Sequence, residues 1–468
     1  MEFFNNILRG FDSIRTKSEG VFYGKIYPVI LSFIIFLFWI ADLQYCGFAV
    51  TVAVCFFLLV TGKDLTPVFP PLFMLGMCFR DTSIFSGNAL AFVFVSIFAL
   101  GVIINAIRFP FKKVVFDKVF WSIALLTLAM LIGGIFSPYL SDFSFGIPHI
   151  SIACFGAGFV YFMFSNRTEP NKKTDLGRYF CFAFIVAVNL SCLQLLYGKT
   201  LVSLYGASAF PFNKDGSWAN TNHIGSLIIM AIPLCCYLIL EAKSIFFYIL
   251  EFLFLCVCVH LSKSDGSRAI ALCFLPILFF VIYRKISNKN FRAFQLFAKI
   301  FIPSVILVIA YLLLFQTDSF ISFWIKSSSD SGRIPIYEKA LEVFFQFPIF
   351  GVGMGHGFVL TGIETHYNGY FHSSFFHAIA TMGVMGIIVY TFYYVQRIKM
   401  LAKNNTTLGL FAMVSFLMFA LYAMIDNGEI NIVIIYMTAI VAVVGVYNKK
   451  YHEPPLPLSL NRKAIFKK

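Results

Sequence analysis

Apolar runs of roughly twenty residues recur from Tyr27 to Tyr447, separated by short polar or basic connections. A bilayer-spanning helix needs about 20 such residues. The pattern predicts fourteen spans, at about 26–44, 46–62, 66–80, 88–108, 119–138, 147–164, 178–197, 219–240, 244–261, 267–283, 296–316, 373–395, 408–424 and 429–447. The third carries Pro67, Pro70 and Pro71, which makes it short or broken and brings the lower limit of the range to twelve or thirteen spans. The expected fold is an all-α, polytopic transmembrane helix bundle of about 12–14 spans with one helical extracytoplasmic loop. Along the chain this divides into a leader at 1–25, spans 1–11 at 26–316, a large outer loop at 317–372, spans 12–14 at 373–447 and a basic tail at 448–468.

Composition leaves no room for a water-soluble core. The chain is 59% hydrophobic and 12% charged, with a mean hydropathy of +0.84, against about 45–50% apolar and 25% charged in soluble domains. The sixty phenylalanines are spread over nearly every run and read as bulk filler. Eleven cysteines occur with no CxxC spacing, mostly inside apolar runs, and are expected as buried thiols. The leader holds Arg9, Arg15, Lys17 and Lys25 and no continuous apolar stretch, so no cleavable signal is expected and the first span acts as the targeting element. Phe3, Phe4, Ile7, Leu8, Phe11 and Ile14 fall at helical spacing, the pattern of an amphipathic helix on the membrane surface.

Charge sets the orientation. With the N-terminus inside, twenty-eight of the thirty-six Lys and Arg fall on inner segments, as the positive-inside rule requires. Both termini are therefore expected in the cytoplasm. The net charge of +14 is accounted for by topology, without nucleic acid. Outer segments carry eight basic residues and twelve acids, Asp426 among them.

Ionisable groups at the edges of spans are costly and are functional candidates. Arg268 ends Ser264-Asp265-Gly266-Ser267-Arg268 at an outer span edge, and Arg333 begins a helical stretch after Ser331-Gly332 in the large loop. A guanidinium pairs phosphate oxygens bidentately, and a helix N-terminus adds unpaired N–H groups. Both arginines equally suit snorkelling to lipid headgroups. His356, His366, His372 and His377 crowd the end of the loop, where an imidazole can serve as a general base. Their irregular spacing, with Glu364 the one nearby carboxylate, argues against a metal site, and His377 lies far enough into the next run to be packing. Asn220 or Thr221 can cap the helix that follows, and Asn222 and His223 are placed to line the same outward cavity as Arg268. Gly351, Gly353, Gly355 and Gly357 allow tight turns or close approach to a ligand.

Together, Asn222 with its helix, Ser267-Arg268-Ala269, and the stretch from Ser331-Gly332-Arg333 through Pro348-Ile349-Phe350-Gly351-Val352-Gly353 to His372 and Gly383-Val384-Met385-Gly386 resemble the O-antigen ligase and O-antigen polymerase superfamily of bacterial membrane glycosyltransferases. The resemblance implies a glycan on undecaprenyl diphosphate as donor, at the outer face of the bacterial inner membrane. The acceptor would be a glycan or lipid A-core hydroxyl, with neither metal nor other cofactor. By that resemblance Arg268 and Arg333 hold the diphosphate and His372 deprotonates the acceptor, while Asn222, His223 and Gly353 are further candidates for contacts with the diphosphate or glycan. Family members often carry Asn after the key histidine, whereas here it is Ser373. The acid-rich outer face favours a polymerase, with a chain-length regulator as a candidate partner. A ligase, a protein O-oligosaccharyltransferase and a transporter of a lipid-linked or anionic solute are the alternatives. The last is disfavoured because the halves show no internal repeat.

Overall fold

The structure is a computed structural model that describes residues 2–79, 89–111, 114–137, 150, 152–169, 175–205, 220–242, 244–286, 288–315, 333–354, 371–403, 406–426, 428 and 433–450. Among these residues every regular element is helical. Seven helices are long and apolar enough to cross a membrane, and shorter apolar helices of 10–17 residues accompany them. The chain is a multi-pass membrane protein. Phe210 to Asn213, His356, Gly355, Gly357, Glu364, His366, Ser331 and Gly332 lie outside the described residues.

Helix α1 (Glu2–Phe22) is the amphipathic leader. It is tied to the bundle by a 2.6 Å Asp12–Arg108 ion pair, and just beyond it Tyr23 donates a 2.5 Å hydrogen bond to Asp64. Burial pushes the Asp64 carboxyl above its ordinary range, an effect opposed by hydrogen bonds from Tyr23 and Thr66. Helices α2 (Ile26–Ile40) and α3 (Gln44–Thr61) follow. The proline-bearing third run is indeed broken, into a 3-10 turn Thr66–Val68, a short α4 (Phe69–Met74) and a second 3-10 turn Leu75–Cys78. It spans thirteen residues in all, too few to cross alone.

Beyond it come α5 (Ala89–Arg108) and α6 (Lys118–Ile135). Asp117 caps α6, accepting from the Val119 and Phe120 amides at 3.1 Å each. A π-helical turn Ile152–Gly158 leads into α7 (Phe159–Arg167), followed by α8 (Leu176–Tyr205). Helix α9 (Thr221–Glu241) is the axis of the bundle, buried at every position from Ile224 to Ile239. Helices α10 (Phe246–Leu261), α11 (Asp265–Lys285) and α12 (Asn288–Phe315) complete the first part.

The second part is built around one interruption. Helix α13 (Arg333–Gln346) in the large loop buries Ile336, Ala340 and Val343. It leads through Pro348-Ile349-Phe350-Gly351-Val352-Gly353 toward α14 (Ser374–Ala402), which leaves helical geometry at Gly383 (φ 61°, ψ −148°). A break inside lipid must have its backbone groups satisfied by protein. The loop segment does this from both sides: Val384 and Met385 N–H donate to the Pro348 and Ile349 carbonyls at 2.8 and 3.3 Å, while Val352 and Gly353 N–H donate to the Ala380 and Thr381 carbonyls at 3.0 and 2.9 Å. Phe350 stacks on Phe136 from beside α6, with ring centres 4.7 Å apart, and Ser137 donates to the Val352 carbonyl. Helices α15 (Thr407–Ile425) and α16 (Val433–Lys450) close the bundle.

Gly383 is irreplaceable in this arrangement. Its φ is positive, and an added Cβ would lie 2.5 Å from the Pro348 carbonyl oxygen and 2.6 Å from that of Ile349. Gly383→Ala is expected to be less stable by on the order of 3 kcal/mol, seen as a lowered melting temperature of the purified protein in detergent. Gly10→Ala, where a Cβ meets nothing within 4 Å, should leave it unchanged. Equal melting of the two variants would show that the interlock does not carry the stability assigned to it.

Candidate functional site

His372 stands at the start of α14 with φ +46°, a conformation uncommon for a residue with a side chain. Ser373, which follows it, caps the helix by accepting from the Phe376 amide at 3.4 Å. The backbone of His372 is held from the loop helix: Tyr337 donates to its carbonyl at 3.1 Å, and the Tyr337 ring stacks on Phe376 with centres 4.4 Å apart. Burial raises the Tyr337 hydroxyl above its ordinary value, an effect the Arg333 guanidinium opposes.

The imidazole faces Asp426, with Nδ1 3.8 Å from Oδ1. That is an electrostatic contact longer than a hydrogen bond. Asp426 terminates α15 and is itself fixed on three sides. Its Oδ2 accepts from Tyr422 at 2.7 Å, its carbonyl accepts from the Ser374 amide at 3.2 Å, and its own amide donates to the Tyr422 carbonyl at 3.0 Å. The N-terminus of α14 lies beside it, a location that favours negative charge. The Asp426 side chain is 10% exposed and that of His372 26%, so the carboxylate is enclosed while the imidazole keeps an accessible edge.

Arg333, the first residue of α13, is half-buried and makes no hydrogen bond or ion pair among the described residues. It is close enough to act electrostatically on both Tyr337 and Tyr422. Arg268 is differently placed. Its Nη1 pairs with Asp265 at 2.9 Å, and its Nε and Nη2 donate to the His260 carbonyl at 3.1 and 2.5 Å. It thereby closes the C-terminal end of α10, where free carbonyls attract a cation. Its side chain remains 22% exposed.

The helix ends that carry these groups meet. A Cβ on Gly225 would lie 2.6 Å from Ser267 Oγ, so the start of α9 packs directly on the start of α11. A Cβ on Gly266 would strike Ile425, with Tyr422 at 3.9 Å, which sets the Arg268 turn against the end of α15. His223 lies within the electrostatic reach of Asp426. Asn220 is the cap of α9, accepting from the Asn222 amide at 2.9 Å, and Asn222 is half-exposed beside it. The structure therefore brings Asn222, His223, Arg268, Arg333 and His372 to one end of the bundle.

Gly353 sits apart from them. Its N–H is committed to Thr381 in the backbone interlock, and its φ of +86° explains the glycine. His377 is fully buried against Phe371, as packing. Among the described residues no three His, Cys, Asp or Glu side chains gather as a metal cage.

Three residues at the centre of the site, Asp426, Tyr422 and Tyr337, were not singled out from sequence. Asp426 counted only as one outer acid among twelve. Its available signal was a lone carboxylate at the edge of an apolar run with a tyrosine four residues before it, on the same helical face. The chemistry of the set is that of a base and a cation: an imidazole facing a carboxylate at 3.8 Å, beside a guanidinium at a helix N-terminus that makes no hydrogen bond among the described residues.

No curated protein matches the chain. Residues 250–391, the stretch that carries Arg268, Arg333 and His372 and ends in α14, match the family model of O-antigen ligase (Wzy_C) and so support the O-antigen ligase and polymerase superfamily that the motifs resemble.

Proposed function

We propose that this chain is a membrane glycosyltransferase that moves a glycan from undecaprenyl diphosphate to an acceptor hydroxyl at the outer face of the bacterial inner membrane, acting as a surface-polysaccharide polymerase. The observation that carries this reading is His372 held between Asp426 and Tyr337, next to Arg333. In the transfer, the acceptor O–H gives its proton to Nε2 of His372 as its oxygen attacks the anomeric carbon. The bond from that carbon to the diphosphate oxygen breaks, and the lipid diphosphate leaves with the electron pair. Asp426 keeps the proton on Nδ1, leaving Nε2 as the base, and then stabilises the imidazolium. Arg333 meets the charge that develops on the diphosphate, in a site of low dielectric where such stabilisation is strongest.

Arg268 supports this charge from the α10 terminus while its other donors remain with His260 and Asp265. Asn222 and His223 form the facing wall, suited to sugar hydroxyls. Gly353 acts through the backbone that positions Arg333. The inner excess of Lys and Arg supports cytoplasmic termini and an outward-facing site. Eight basic residues against twelve acids on the outer segments favour a second lipid-linked repeat as acceptor over the phosphate-rich lipid A-core. The ligase reading is favoured by the match of residues 250–391 to the O-antigen ligase family model.

Complementation separates the two. In a strain lacking its own O-antigen polymerase and supplied with a matched repeat unit, wild type is expected to restore a lipopolysaccharide ladder, while Arg333→Ala and His372→Ala at matched expression leave core plus one repeat. Restoration of core capping in a ligase-deficient strain, with no elongation, replaces polymerase by ligase.

Asp426→Asn should lower turnover by about 100-fold or more through loss of tautomer control, while the apparent KM for the donor changes little. Parallel loss of donor affinity and turnover, or unchanged turnover, removes Asp426 from the role of orienting the base.

A further inference from the structure

At the end of the bundle opposite the candidate site, a groove of about 240 Å³ opens sideways between α2, α8 and α10. Its rim residues Val29, Phe33, Leu193 and Phe247 are exposed, as lipid-facing side chains are. The inner wall is mostly aromatic and aliphatic, but its floor is not. Asn189 and Glu251 line it, and the amide interacts with the carboxyl. Asn189 Oδ1 and Glu251 Oε1 are sealed from solvent and have no hydrogen-bond partner among the described residues. A buried polar atom left without a partner is costly, and an acid within an apolar helix at membrane depth is a candidate binding site or pathway. The proposed transfer chemistry makes no use of this pair.

The mouth of the groove is basic. Lys25 donates to the Tyr248 hydroxyl at 2.9 Å and lies 5.3 and 5.5 Å from the ring centres of Phe182 and Tyr248, both of which line the groove. Lys25 is exposed, and an ammonium has three donors, so two remain for a ligand. Tyr248 and Glu251 lie on one face of α10, with Glu251 deeper by about 4.5 Å along the axis. From the interface inward the order is thus a cation, then a hydrogen-bonding pair one turn below, then an apolar slot.

We propose that this groove binds one anionic diacyl glycerophospholipid, with its phosphate on Lys25, an ester carbonyl on the Glu251 and Asn189 pair, and an acyl chain along the apolar wall. The second amide hydrogen of Asn189 and, in its protonated form, the Glu251 hydroxyl are donors at the depth of the esters. An isoprenoid phosphate shares the anionic head but carries hydrocarbon directly behind it, and would leave the pair facing groups that cannot hydrogen-bond.

The test is native mass spectrometry of the full chain in detergent, titrated separately with phosphatidylglycerol and with undecaprenyl phosphate. Wild type is expected to bind one phosphatidylglycerol, and Glu251→Leu and Lys25→Glu should each weaken that binding by about tenfold without weakening undecaprenyl phosphate. Lys25→Glu alters an exposed side chain and so reads the site even if Glu251→Leu fails to fold. Phosphatidylglycerol bound equally by wild type and Lys25→Glu overturns the proposal. Weakening of undecaprenyl phosphate instead of phosphatidylglycerol overturns it as well and names the isoprenoid as occupant.

Discussion

The arrangement of this protein follows from one constraint: a helix that breaks inside a membrane must find protein partners for its backbone. At Gly383 α14 breaks, and the Pro348 to Gly353 segment donates to the carbonyls before the break and accepts from the amides after it. The same four hydrogen bonds that heal the span also anchor the large loop. Because the segment follows α13 directly, this anchoring fixes where that helix lies, and with it Arg333 and Tyr337. Small residues are needed on both strands of the interlock, since Gly351 and Gly383 adopt positive φ and a Cβ at either would collide with backbone.

Asp426 plays the corresponding part for the chemistry. It joins the end of α15 to the start of α14 through its backbone and binds Tyr422 and His372 through its side chain. An enclosed carboxylate is expensive unless it is compensated. Here compensation comes from a tyrosine hydroxyl, a helix N-terminus and an imidazole, together with the nearby Arg333 field. The groups that make the charge tolerable are also those that define the site, so stability and positioning come from one set of contacts.

The two ends of the bundle use arginine and lysine differently. At the site end Arg268 serves partly as a cap for α10, and Arg333 makes no hydrogen bond among the described residues. At the opposite end Asp12–Arg108 and Tyr23–Asp64 bind the amphipathic leader across the helix ends, and Lys25 sits at a groove mouth. Arg108 and Arg268 are committed to the fold by their hydrogen bonds, whereas Arg333 makes none among the described residues.

The all-helical, multi-pass character, the break in the third run and the amphipathic leader were legible in sequence, because lipid imposes a simple test: about 20 apolar residues per crossing, with every exception conspicuous. Gly353 was legible as a glycine that had to be one, but its partner was not. Asp426 and Glu251 were present as single acids in apolar surroundings, and nothing local distinguishes an acid that faces a histidine from one that faces headgroups. Those assignments depended on which helix ends meet, on Gly225 against Ser267, Gly266 against Ile425 and Pro348 against Gly383. Contacts between residues separated by tens or hundreds of positions leave no periodic trace in a chain, and only the packed bundle decides them.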